Sequence, residues 1–224
     1  MNAGEVRPVK IWAASSGLAA CRFKINTISY AVYAGAEQKP FCLHRAIIAQ
    51  NSEYFDNIFS SPDEKNTSAI YLKEITSYSF NIIATWLYGR TNQLSLLFCS
   101  RIRTVALYKS ANFLGIHKLK GDILEMIKRL LDRELKEAHK EPMEKEHYIL
   151  MEEICAYSQP SDRPLLKECL ILALESSSLE PTSALEFYRD REPSEILLAI
   201  LEELLQAQGT SRSEDLFSEN ESDA

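Results

Sequence analysis

The sequence predicts an α+β protein that is mostly helical, with a small three-stranded sheet early in the chain and a helical region at its end. Stretches of alternating β-branched and aromatic residues, which are typical of strands, lie before residue 76. After residue 76, apolar residues recur instead at the three- and four-residue spacing of amphipathic helices. These two patterns place the sheet first and most of the helices after it.

The composition is that of a globular protein. The chain has 224 residues, of which 46% are hydrophobic and 25% are charged, and this length favours one or two domains. Its net charge of −7 argues against nucleic acid as the main partner, because phosphate binding needs a basic face. No stretch approaches the roughly 20 apolar residues that cross a membrane. We therefore expect neither nucleic acid nor a membrane as a partner.

The cysteines indicate a reducing compartment. Their number is odd, and no two of them have the spacing of a metal site or a CxxC motif. Reduced, mostly buried thiols in an intracellular protein are the simplest interpretation, and no signal-peptide pattern opens the sequence. The nucleus and the cytoplasm are not distinguished. The cysteines are Cys21, Cys42, Cys99, Cys155 and Cys169.

Three segments are predicted as strands. Residues 23–33 alternate between apolar and polar positions, and a turn over 35–40 leads into Phe41. Two strands joined by such a turn predict an antiparallel hairpin. Residues 70–75 form the third predicted strand.

The stretch 41–59 combines a strand end with a capped helix. His44 stands at the predicted junction between the strand and the first helical turn. Ser52 is a good N-cap, because its hydroxyl can accept a hydrogen bond from an unpaired amide of the first turn. Phe55 and Phe59 are four residues apart, so they share one face of the helix. We expect these two rings to anchor the core.

Longer helices follow. The first ends near Gly89, and its apolar positions are Phe80, Ile83, Ala84 and Leu87. The second spans 96–115, and its stripe is assigned to Ile102, Val105, Tyr108 and Ala111, with Leu114 after it. The third has its apolar positions at Leu119, Ile123, Ile127 and Leu130.

Three blocks within these segments resemble BTB/POZ domains. The first block, at 41–55, has an aromatic residue, an apolar residue, His and a basic residue, followed by Ser and Phe. The second is the aromatic-rich turn at 86–89, and the third is the apolar-Tyr-x-x-Ala-x-x-Leu pattern at 107–114. The resemblance implies a BTB/POZ fold over 22–131 with a structural signature. Its residues are Phe41, His44, Ser52, Phe55, Phe59, Leu87, Tyr88, Tyr108, Ala111 and Leu114.

The rest of the chain divides by composition. The segments are a loosely ordered leader (1–20), a charged linker (132–147), a helical region (148–207) and an acidic tail that should be disordered (208–224). The helical region resembles the C-terminal part of BTB proteins common in filamentous fungi. Its apolar stripes must be buried, and we expect them to pack on the BTB core. The alternative that this region forms a separate domain stays open.

The sequence offers no pattern of catalysis. It lacks GxGxxG, P-loop, GxSxG and HExxH motifs. Cys42 lies two residues before His44, but two such residues share a strand face without a third group to orient them. On the BTB interpretation His44 is a junction residue that hydrogen-bonds locally. We therefore expect no catalytic, cofactor-binding or metal-binding residue, and no enzymatic activity.

The resemblance implies a protein-interaction module, an adaptor or scaffold, with homodimerisation as a family property. The first alternative is a substrate adaptor of a cullin-type ubiquitin ligase. Family members that bind cullins often carry a hydrophobic-x-Glu element in the loop after the second signature helix, where this chain has the poor match Pro62-Asp63-Glu64. That loop and the helices at 95–131 form the candidate partner surface. The second alternative is a helical enzyme or regulatory subunit unrelated to BTB.

Overall fold

The computed structural model of the protein describes residues 29–61, 69–89, 100–137, 146–176, 183–184, 187–188 and 193–218. The predicted leader (1–20) and the start of the first predicted strand (23–28) lie outside them. The strands are β1 (Ser29–Ala34), β2 (Lys39–His44) and β3 (Ala69–Leu72). The helices are α1 (Arg45–Asn51), α2 (Glu53–Ser60), α3 (Ser77–Leu87), α4 (Arg101–Phe113), α5 (His117–Glu137), α6 (Glu146–Cys155), α7 (Arg163–Ser176) and α8 (Glu195–Ser218). A 3₁₀ turn, Pro160–Asp162, precedes α7.

The described strands form a three-stranded sheet in the order β2-β1-β3. The central strand β1 pairs antiparallel with β2, where Val32 lies opposite Phe41. It pairs parallel with β3, where Val32 lies opposite Ile70. This pairing confirms the predicted hairpin and the contribution of the third strand to the same sheet.

The third strand is shorter than predicted. It ends at Leu72, and residues 73–74 form a turn. Ile75 is buried because this turn carries it into the core, not because it continues the strand. The predicted length of the third strand was therefore wrong because the apolar Ile75 was assigned to the strand.

Helix capping by hydroxyl side chains fixes where two helices begin. The Ser52 Oγ accepts a hydrogen bond from the Phe55 N–H at 3.3 Å and donates one to the Leu114 carbonyl at 2.5 Å. The first bond caps α2, and the second ties that cap to the end of α4. Similarly, the Thr76 Oγ1 accepts from the Ser79 N–H at 3.1 Å at the start of α3.

The buried face of α4 differs from the predicted stripe. Ile102 is 73% exposed, whereas Thr104, Leu107, Tyr108 and Ala111 are buried. Residues spaced strictly by three drift by roughly 60° per step around a helix of 3.6 residues per turn. The assignment of Ile102 to the core was therefore wrong, while Tyr108 and Ala111 do lie on the buried face.

The C-terminal helices share one hydrophobic core with the sheet and α1–α5. Helix α7 packs along α5, α6 packs on α4, and α6 and α7 pack on each other. The core that results runs without interruption from the sheet to α8. Its buried members in the C-terminal helices include Met151, Ile154, Leu166, Leu170, Ala173, Leu197 and Ile200. Helices α4 and α5 are therefore covered on both sides.

Two helices cross the boundaries predicted from composition. Helix α5 continues from the BTB segment past residue 131 to Glu137. Helix α8 continues past residue 207 to Ser218, because neither a proline nor a left-handed residue ends it there. Residues 219–224, the end of the predicted acidic tail, lie outside the described residues.

Two of the described cysteines are core residues. Cys155 and Cys169 are buried, and this burial raises the pKa of each thiol to about 12. The Cys169 thiol lies 3.5 Å from the Leu124 carbonyl, so α7 contacts the backbone of α5 there. Cys42 on β2, in contrast, is exposed.

Replacing Ser52 by Ala should lower the free energy of unfolding by about 1–3 kcal/mol, because it removes the α2 cap and leaves the Leu114 carbonyl without this donor. Urea denaturation measures this change as a lower midpoint with an unchanged slope. Ser60→Ala is the matched control, since Ser60 lies on α2 and is exposed. A Ser52→Ala midpoint equal to that of the control would contradict the capping role.

Thiol labelling of the folded protein at about pH 8 should modify Cys42 well before Cys155 or Cys169, because the thiolate is the reactive form and both buried thiols stay protonated below their pKa. Peptide mass mapping identifies the labelled positions. In urea, Cys155 and Cys169 should gain the labelling rate of an ordinary thiol. Labelling of either residue at the rate of Cys42 without denaturant would show that it is not enclosed as described.

Candidate protein-interaction surface

The residues of the predicted signature mostly lie inside the protein. Phe55, Phe59, Tyr108, Ala111 and Leu114 are buried hydrophobic residues, and the Ser52 side chain is buried with them. Phe41, His44 and Leu87 are half-buried, and Tyr88 is exposed. This placement suits residues that build the fold, so a surface for partners must be sought elsewhere.

His44 joins the end of β2 to the end of α3. Its backbone N–H donates to the Tyr88 hydroxyl at 3.0 Å, and its Nδ1 lies 2.7 Å from the same oxygen. Because the hydroxyl accepts from the amide, its own proton can be donated to an unprotonated Nδ1. Partial burial of the phenol raises the pKa of Tyr88 further above its ordinary value, so the hydroxyl keeps its proton at neutral pH. The contacts of His44 are those of a junction residue.

The start of α2 packs against the turn between α4 and α5. Gly115 has a φ of +61°, and a Cβ there would lie 2.8 Å from the Glu53 Cβ, so a side chain has no room. The Tyr54 N–H donates to the Leu114 carbonyl at 3.3 Å. His117 Nε2 lies 3.0 Å from Glu53 Oε1 on the outside of this junction. The turn thus brings the beginnings of α2 and α5 together.

A cluster of polar side chains surrounds the buried Lys120 where the C-terminal helices meet α4 and α5. Lys120 is fully buried, and its Nζ lies 2.7 Å from Asp162 Oδ2 and 3.0 Å from Asn112 Oδ1. The Tyr108 hydroxyl donates to Asp162 at 3.1 Å and lies 2.9 Å from the Ser158 hydroxyl. We call these five residues the buried polar cluster.

The buried polar cluster is chemically satisfied. Asp162 also accepts from the Gln159 N–H at 2.8 Å, and the Lys120 ammonium lies 5.5 Å from the Tyr108 ring centroid. Burial is the main cause that raises the pKa of Tyr108, so its hydroxyl remains a donor. Charges that are paired in this way suit a structural contact, not a reaction centre. Sequence reasoning missed Lys120, although its spacing of three residues from Ile123 and seven from Ile127 on the apolar face of the helix was a signal.

An aromatic groove lies on the outside of the molecule, between β3 and the end of α4. Its walls are Tyr54, Tyr71, Leu72, Lys73, Glu74, Ile75 and Phe113. Tyr71 is 55% exposed and Phe113 is 46% exposed, which is unusual for residues of their size. The Tyr54 and Phe113 rings are 5.2 Å apart, and Tyr71 stacks on Tyr33 at 4.9 Å. The groove therefore presents large, pre-positioned rings to solvent.

The groove adjoins part of the candidate partner surface predicted from the sequence. Pro62, Asp63 and Glu64 lie outside the described residues. The predicted participation of the helices at 95–131 is limited by the structure, because α6 and α7 cover much of α4 and α5. The exposed end of α4 at Phe113 belongs to the groove.

The described part of the chain contains neither a cluster of metal-binding side chains nor a helix suited to a membrane. No group of three His, Cys, Asp or Glu side chains there could hold a metal ion. None of the helices searched has the length and hydropathy needed to cross a membrane.

Comparison with known proteins agrees with the architecture. The family model of the BTB/POZ domain matches residues 29–131, the segment that contains the sheet, α1–α4 and most of α5. A search of curated proteins gave no match. The match covers the same three blocks that resemble the family in the sequence. Residues 29–131 of the chain therefore form a BTB/POZ domain.

Proposed function

We propose that this protein is a non-enzymatic adaptor or scaffold that docks other proteins in its aromatic groove. A BTB/POZ domain is a protein-interaction module, which supplies the class of function. The observation that carries the proposal is the exposure of Tyr71 and Phe113 on either side of one groove. The second alternative, a helical protein unrelated to BTB, is wrong because the family match and the sheet topology contradict it.

The groove has the composition of a docking site. Aromatic side chains are enriched at the centres of protein interfaces, where they bury a large area and lose little conformational freedom. Tyr71 is held by stacking on Tyr33, and Phe113 by contact with Tyr54. Lys73 and Glu74 line the same groove and provide charged groups of both signs at its edge. A partner would thus bury the apolar rings of the groove and contact the charged groups of Lys73 and Glu74.

A cullin scaffold is the second candidate partner. It rests on the family resemblance: cullin-binding members often carry a hydrophobic-x-Glu element, which Pro62-Asp63-Glu64 matches poorly in this chain. Self-association is the other family property that the groove could serve. On this proposal a cullin and a second copy of the chain would both bind at the groove, so one set of groove variants tests both partners.

Full-length protein carrying Tyr71→Ala and Phe113→Ala should lose bound partners, because the two exposed rings supply most of the apolar area that the groove offers. Each binding partner should fall by about tenfold or more in affinity capture from cells, quantified by mass spectrometry. Ile102→Ala is the matched control, since Ile102 is the most exposed large apolar residue in the described part of the chain and lies outside the groove. Its captured partners should equal those of the wild type.

Co-expression of a second copy with a different tag lets the same captures report on self-association. A cullin that binds wild type and Ile102→Ala, but not the groove variant, would support the ubiquitin-ligase adaptor. A second copy with that pattern would support a homodimeric scaffold. Identical partner sets for the wild type and the groove variant would contradict docking in the groove. Equal melting temperatures of all three proteins exclude misfolding as the cause of a loss.

A further inference from the structure

The surface on which the C-terminal helices dock is mostly aliphatic. Buried side chains on its two sides include Leu124, Ile127 and Leu131 of α5, and Met151, Ile154 and Leu170 of α6 and α7. Hydrophobic attraction has little directional preference and depends mainly on the area removed from water. A shift by one helical turn, about 5.4 Å, would still bury aliphatic side chains. Some other contact must therefore fix the position of α6 and α7.

Exposed ion pairs between the two parts cannot fix it. Lys128 of α5 pairs with Glu168 of α7, and Arg101 of α4 pairs with Glu153 of α6. The side chains of all four residues are between 30% and 52% exposed. Water stabilises such charges in any docked position, so these pairs distinguish weakly between one position and the next.

The buried polar cluster distinguishes strongly between positions. Lys120 has no access to water, and its ammonium reaches Asp162, which lies between α6 and α7, at 2.7 Å. If the C-terminal helices were shifted by a turn, this charge would remain buried without its carboxylate. Breaking a buried ion pair is far more costly than losing an exposed one, since an uncompensated charge stays in the interior.

We propose that the buried polar cluster selects the single position in which the C-terminal helices dock on the BTB/POZ domain. Lys120 and Asp162 set the position: Asn112 accepts from Lys120, Tyr108 donates to Asp162, and Ser158 contacts the Tyr108 hydroxyl. The cluster acts through specificity: the aliphatic contacts supply the attraction, and the ion pair eliminates alternative packings. The covered face of α4 and α5 is thereby kept from other proteins.

The test compares Lys120→Met, Asp162→Asn, the double variant and wild type in the full chain. Each single variant should accelerate amide hydrogen exchange in α6 and α7 by about 100-fold, because it leaves one buried charge or its partner uncompensated. The double variant has no buried charge, so exchange should return to within about tenfold of wild type. Lys128→Met with Glu168→Gln is the matched control: it removes the exposed pair between α5 and α7.

A second readout separates specificity from stability. In two-dimensional ¹⁵N–¹H NMR spectra, the double variant should show more than one signal for residues of α6 and α7, and one signal for residues of β1–β3. Wild type and the exposed-pair control should show single signals throughout. A double variant with one set of wild-type signals would overturn the proposal, since the helices would then find their position without the cluster. Single variants whose amide exchange in α6 and α7 is unchanged would also overturn the proposal. If Asp162→Asn fails to fold, Lys120→Met and the double variant still test the proposal.

Discussion

The BTB/POZ domain and the C-terminal helices both depend on Tyr108. Its ring is fully buried on α4, and its hydroxyl bonds to Asp162 and contacts Ser158 in the C-terminal helices. Two turns further along, the same helix ends at Leu114, whose carbonyl accepts hydrogen bonds from Ser52 and from the Tyr54 amide. One helix thus holds α2 at its end and the C-terminal helices along its side. A change in the position of α4 would disturb its contacts with α2 and with the C-terminal helices.

This arrangement restricts where partners can bind. Helices α4 and α5 carry apolar side chains on both sides, and the C-terminal helices take up the side away from the sheet. The aromatic groove lies at the free end of α4, where Phe113 follows the last buried turn of the helix. The same rigid elements that bind the C-terminal helices therefore also hold the groove in place. The proposed partner site and the docking surface of the C-terminal helices thus occupy different parts of α4.

Local patterns predicted much of the fold. Alternation identified β1, and the hydroxyl of Ser52 identified the start of α2, because both depend on neighbours within a few residues. Interactions between distant residues were not predictable in this way. Lys120 and Asp162 are far apart in the chain, so only the packed structure shows that they form a pair. Ile102 was assigned to the wrong face because periodicity was counted in steps of three. The groove was also missed, since its walls come from α2, β3 and α4.

The core shared by the BTB/POZ domain and the C-terminal helices predicts that they unfold as one cooperative structure. Native-state hydrogen exchange in increasing urea tests it most directly, because it gives an opening free energy for each buried amide. We predict that Ile83 in α3 and Leu170 in α7 converge on the same free energy and the same dependence on urea. A lower free energy for Leu170 that stays separate from that of Ile83 at every urea concentration would show two independent units and contradict the claim.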